Sequence, residues 1–135
     1  MTPELTELLH EITSDSAGHR FGHRQHINLA WLAVRRYGMP EAADKVCEWL
    51  RQMTAYEHAP QKYNHTMSRA WVHLVAHHTT EDTVRDTPTH PFDQFITDHP
   101  ALLDKRLLSR HYSPRTLAST AARVQWAEPD LLPLP

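Results

Sequence analysis

Apolar residues recur at helical spacing along most of the chain, and no stretch alternates in the period-two manner of a strand. Leu5, Leu8, Leu9 and Ile12 form one stripe. Thr2-Pro3-Glu4 ahead of it reads as a cap, a first-turn proline and an acidic first turn, so a helix is predicted over 3–13. Residues 14–21 follow as a loop. A second helix is predicted over 22–37, closed by Gly38, the residue type that best tolerates a left-handed terminator. Pro40 opens a third over 40–56, with Ala43, Val46, Cys47, Leu50 and Met53 on one face. Residues 57–62 form a loop around Pro60. A fourth helix over 64–78 carries Met67, Ala70, Trp71, Leu74 and Val75 toward the core.

Polar, proline-punctuated sequence over 79–91 reads as a long connection. Phe92, Phe95 and Ile96 then predict a short helix after Pro91. Pro100 opens another, bearing Leu102, Leu103, Leu107 and Leu108. Ser113-Pro114 is a cap and first-turn pair that starts a helix over 114–124. The terminal EPDLLPLP is expected to lie extended over the body of the protein. The expected fold is all-α: one compact domain over 1–135, with four main helices, a helical C-terminal section and an extended tail.

Histidine breaks this pattern at one place. His23 and His26 share a helical face with Ala30, Val34 and Tyr37, so two imidazoles stand where carbon is expected. Burying a polar group without a partner costs roughly 2–7 kcal/mol, so both rings need compensation. Backbone carbonyls, Tyr63 or Asn64 can supply it, in which case the pair is structural. A metal ion or the polar end of a small molecule can supply it too. The three-residue spacing lets both rings reach one point beside the helix, as two ligands of one ion do. It is not the HExxH pattern of zinc proteases, nor the ExxH of di-iron bundles.

The KYNHTMSRAW run is the expected donor of further groups, so the candidate site is His23, His26, Tyr63 and Asn64, with His65 as third metal ligand. With His65 at 0° on the helical wheel, Asn64 falls within the apolar face and His65 opposite its centre, beside Arg69 and His73. A shell rich in histidine and poor in carboxylate suits zinc, iron or copper over magnesium or calcium. Trp31 and Trp71 are candidate walls of the pocket, and His111 is a candidate reaching it from the C-terminal section. His73, His77 and His78 read as a solvated helix end, and Cys47 as a small buried hydrophobe.

The chain resembles a group of small bacterial helical proteins carrying F-x-H-x-x-H-x-x-x-A-W, then K-Y-H-x-T, then Y-S-P-x-x-L-x-S-x-x-A-R. Matching residues are Phe21, His23, His26, Ala30, Trp31, Lys62, Tyr63, Thr66, Tyr112, Ser113, Pro114, Leu117, Ser119, Ala122 and Arg123. The resemblance implies a shared helical fold and carries no activity. It also marks a departure: Asn64 stands where the pattern has histidine, and His65 is displaced by one.

Composition narrows the setting. Net charge is −2 with 12 neutral histidines, so no basic field points to nucleic acid or an anionic membrane. Cys47 is the only cysteine, which excludes an internal disulfide and suits the cytoplasm. The N-terminus lacks the basic and apolar runs of a signal peptide, and no stretch has the apolar length of a membrane span. The expected function is a small cytoplasmic enzyme acting on a small organic molecule through the histidine site, metal-dependent or not. A non-catalytic binding or accessory protein is the alternative, and a purely structural helical partner a third.

Overall fold

The computed structural model describes residues 22–56, 62–79 and 91–135. They form α1 (His23–Tyr37), α2 (Glu41–Tyr56), α3 (His65–Thr79) and α4 (Pro91–Asp98). Two 3-10 segments follow at Pro100–Leu103 and Lys105–Arg110, then α5 (Pro114–Ala118) and α6 (Thr120–Val124). No strand occurs among the described residues. The helix expected over 3–13, the loop 14–21 and most of the segments 57–62 and 79–91 lie outside them.

Each boundary has a local cause. Gly38 ends α1 at φ +73°, and its N–H bonds the Val34 carbonyl at 2.8 Å. A side chain there would add left-handed strain, which glycine avoids. Asn64 opens α3: its Oδ1 accepts the Met67 N–H at 3.0 Å. Ser113 caps α5 as expected, with its hydroxyl accepting the Thr116 N–H.

Two expected helices are broken. The 100–110 segment is 3-10 rather than α because Asp104 takes an extended conformation and its carboxylate accepts the Arg106 N–H, restarting the turn. The 114–124 segment is interrupted at Ser119, whose hydroxyl caps α6 through the Ala122 N–H at 3.1 Å.

α1, α2 and α3 pack against one another, and α6 covers a further flank of α3. α3 is therefore enclosed on several sides, and Thr66, Ser68, Trp71, Val72, Val75 and Thr79 are all buried although they do not share one face. The single apolar stripe expected for this helix was too narrow, and Met67, placed at its centre, is 38% exposed. α1 is similarly enclosed by its two neighbours. Ile27 and Leu29 on it are fully buried, each stabilising the fold by about 1.5–3 kcal/mol. Trp31 does not wall the histidine corner. It packs on Phe92 and Phe95 of α4 at 5.5 and 5.8 Å between centroids.

The tail lies along the body, as expected, held by hydrogen bonds and by Leu134, which is partly buried against the core. The N–H groups of Leu131 and Leu132 bond the carbonyls of His111 and Arg110. His111 Nδ1 bonds the Leu132 carbonyl at 3.0 Å, and Tyr112 donates to Ala127 at 2.7 Å. Asp130 accepts from both the N–H and the hydroxyl of Ser113. Thr66 on α3 donates to the Gln125 carbonyl and accepts the Ala127 N–H. Leu131 and Leu132 themselves stay exposed. His111 thus holds the tail, and its ring is committed there.

Candidate functional site

His23 and His26 stand in the first turn of α1, where Gly22 precedes the helix and Gln25 returns its side chain to the Gly22 N–H at 3.0 Å. His23 Nε2 donates to the Leu102 carbonyl at 2.8 Å. That carbonyl closes a 3-10 segment and lies beyond its internal bonding, so the imidazole fills a vacancy the helix end creates. With Nε2 carrying the proton, the Nδ1 of neutral His23 is a lone pair. The same ring packs edge-on against Trp71 of α3 at 4.5 Å.

His26 lies one turn further into the interface with α3. Its Nε2 is buried and has no hydrogen-bond partner among the described residues. Burial is the main cause that pulls its pKa down to about 4, the neighbouring His23 ring adds to this, and the Ser68 backbone carbonyl opposes it. His23 is shifted down as well, chiefly by burial, with the Leu102 carbonyl opposing it and the opposed charges of Lys105 and Asp104 following. Both imidazoles are therefore held toward the neutral form, and one presents a ring nitrogen that the fold leaves unsatisfied. A neutral imidazole with an unused nitrogen can accept a proton, hold a hydroxyl or ligate a metal.

Tyr63, Asn64 and His65 sit apart from this pair. Among the described residues no hydrogen bond or ring contact joins them to His23 or His26. Asn64 spends both halves of its amide structurally: Oδ1 caps α3, and Nδ2 donates to the Leu117 carbonyl at 2.8 Å. The Tyr63 hydroxyl pairs with His65 Nδ1 at 2.8 Å, and the Arg51 guanidinium lies over the Tyr63 ring. Cys47 borders the same group. Burial pushes both its thiol and the Tyr63 phenol up, so each stays protonated. His65 is shifted down by burial and then by Arg51 and Arg69. Among the described residues the expected site falls into two groups, because Tyr63 and His65 pair with each other and lie against Cys47 and Arg51 of α2.

A metal shared by His23, His26 and His65 does not fit this arrangement. No group of three or more His, Cys, Asp or Glu side chains could hold an ion among the described residues. The His23 and His26 rings are perpendicular with centroids 6.5 Å apart. With a metal–nitrogen bond and a nitrogen-to-centroid distance of about 2.1 and 1.2 Å, two imidazoles at the tetrahedral angle bring their centroids to about 5.3 Å. The observed separation needs the rings to stand opposite one another across the ion, and His23 Nε2 is already given to Leu102. Likewise, His73 and His77 pair with different rings, Trp126 and His78.

Sequence reasoning singled out His23, His26 and Trp71, whose rings the structure brings together. It missed the Leu102 and Ser68 carbonyls, since backbone oxygens leave no mark on residue type. Among the described residues, no helix is long and apolar enough to cross a membrane. No protein-family model, curated protein or solved structure matches the chain.

Proposed function

We propose that the protein binds a small organic molecule at the His23–His26 corner and acts on it as an enzyme, with His26 as the proton acceptor and His23 as its neighbour and positioning group. The observation that supports this reading is the buried, unpartnered Nε2 of His26. A polar atom left so costs about 1–3 kcal/mol, and a bound group that bonds it recovers that cost. A base whose conjugate acid is disfavoured stays available across the neutral range. His23, fixed by Leu102 at one nitrogen, keeps the other as a second acceptor. In this reading Trp71 is the apolar wall behind His23, and Tyr63 and His65 take no part. The single buried thiol, Cys47, suits a reducing cytoplasm. We also place the chain in the bacterial helical group that its motifs resemble.

A thermal-shift screen of a metabolite library, run in parallel on wild type and His26→Ala, tests the reading. A ligand at about 100 times its Kd adds roughly 2.7 kcal/mol of stability, a shift of several degrees. Compounds that stabilise wild type and not His26→Ala are expected. Turnover of those compounds then separates an enzyme from a carrier. A screen whose hits are identical for both proteins, or that has none, overturns the proposal.

A further inference from the structure

We propose that residues 125–135 are an acid-released strap: charging His73 on α3 lifts Trp126 from its ring and frees the tail while the helices stay folded. The switch is independent of the His23–His26 corner.

The tail leaves α6 at Gln125, which is extended at φ −148° and ψ 171°. Trp126 then packs on two rings, Tyr112 edge-on at 6.3 Å and His73 of α3 at 5.6 Å between centroids. Its indole N–H donates to the Glu128 carboxylate at 3.0 Å, which brings a negative charge to the same group. Further along, the Ala127 N–H bonds Thr66 Oγ1, and those of Leu131 and Leu132 bond the carbonyls of His111 and Arg110. Leu134 is partly buried, whereas the side chains of Leu131 and Leu132 are exposed. A segment held in this way opens at a lower free energy than helices that share the core.

His73 is held toward the neutral form. Burial is the main cause, Arg69 one turn earlier adds to it, and Glu128 opposes both. Arg69 is itself paired with Asp44 of α2 at 2.8 Å, and His77 one turn later packs its ring on His78. On the same flank, Arg123 is the one titratable residue of α6. The tail acts on the His73 ring twice, since Trp126 covers it and Glu128 attracts its charge. Burial outweighs the carboxylate. The neutral ring therefore favours the tail in place, and the charged ring favours it lifted, where water reaches the imidazole. The closed tail is fully favoured above 6.5, the ordinary histidine pKa that the uncovered ring approaches, and loses ground as the pH falls below it. The Ser113 hydroxyl and N–H hold the Asp130 carboxyl below the usual carboxylate range, so that latch keeps its charge in mild acid.

Amide hydrogen exchange of the full chain, followed by NMR at pH 7.5 and 5.5 and corrected for the intrinsic pH dependence of exchange, tests the switch. The tail is read at the N–H groups of Ala127, Leu131 and Leu132, and global opening at those of Ala30 and Ala33 in the core of α1. Two variants are run alongside, with circular dichroism to verify that both fold. His73→Gln keeps a polar side chain that cannot charge. Glu128→Gln keeps an oxygen for the Trp126 indole and removes the negative charge. In wild type, protection of the tail amides relative to the α1 pair should fall at least about twofold between pH 7.5 and 5.5, since an uncovered ring is mostly protonated at the lower pH. The ratio should stay constant in His73→Gln and fall further than wild type in Glu128→Gln, which lacks the attraction that opposes release. No fall in wild type, an equal fall in His73→Gln, or a smaller fall in Glu128→Gln overturns the proposal.

Discussion

Removing the His26 imidazole should flatten the acid side of the stability curve, and the size of the change follows from its surroundings. The ring is held neutral by burial, with a pKa of about 4 in the folded chain against 6.5 for an ordinary histidine. Above pH 6.5 it is neutral in both folded and unfolded states and contributes nothing to pH dependence. Between 6.5 and 4 the unfolded chain binds a proton that the folded chain refuses, so stability falls as the pH falls. Going from pH 8 to pH 5, this single group should cost about 2 kcal/mol, and below pH 4 the loss levels off at about 3 kcal/mol. His23, His65 and His73 are also shifted down by burial and add losses of the same sign. A difference between two proteins is therefore the clean quantity. Urea unfolding of wild type and His26→Leu at pH 8, 6.5 and 5 measures it. The variant should lose about 2 kcal/mol less than wild type between pH 8 and 5. At pH 8 its stability should match or exceed wild type, because leucine removes an unsatisfied nitrogen and adds carbon. Equal acid losses in the two proteins, or an NMR titration placing His26 at 6.5 or above, would refute the buried neutral ring.

Three further outcomes test the fold around the site. Thr66→Val keeps the shape of the side chain but abandons the Gln125 carbonyl and Ala127 N–H, and should cost about 2 kcal/mol in urea unfolding, with Thr66→Ser costing clearly less. Hydrogen exchange should quicken at Ala127, Leu131 and Leu132 in the valine variant, because that bond anchors the tail. Asn64→Ala removes the α3 cap and the bond to Leu117, for an expected loss of about 1–2 kcal/mol, whereas Asn64→Asp, which keeps the cap, should lose less; equal losses would deny the cap its role. Gly38→Ala should cost about 1 kcal/mol from its positive φ alone, since an added Cβ there meets nothing within 4 Å; an unchanged midpoint would contradict that conformation.

The helical order was legible in the sequence alone, because helical periodicity and capping are local. Gly38 after Tyr37, and Ser113-Pro114 ahead of α5, fix boundaries through backbone preferences that need no neighbour. The His23–His26 spacing was equally readable, and with it the demand for a partner. What supplies that demand was not. The Leu102 oxygen is 79 positions away in sequence and belongs to the backbone, so only the approach of the 3-10 segment to α1 brings it to His23. Asn64 and His65 were ambiguous for a related reason. A helical wheel gives angles about one axis, whereas the first turn of α3 is decided by what surrounds it: Leu117 draws in the Asn64 amide, and Tyr63 takes His65. The sequence by itself therefore determined the elements and the presence of two costly imidazoles in a core-facing turn. Only the tertiary structure decided which of them was satisfied, because burial and hydrogen bonding between distant segments depend on where whole helices meet.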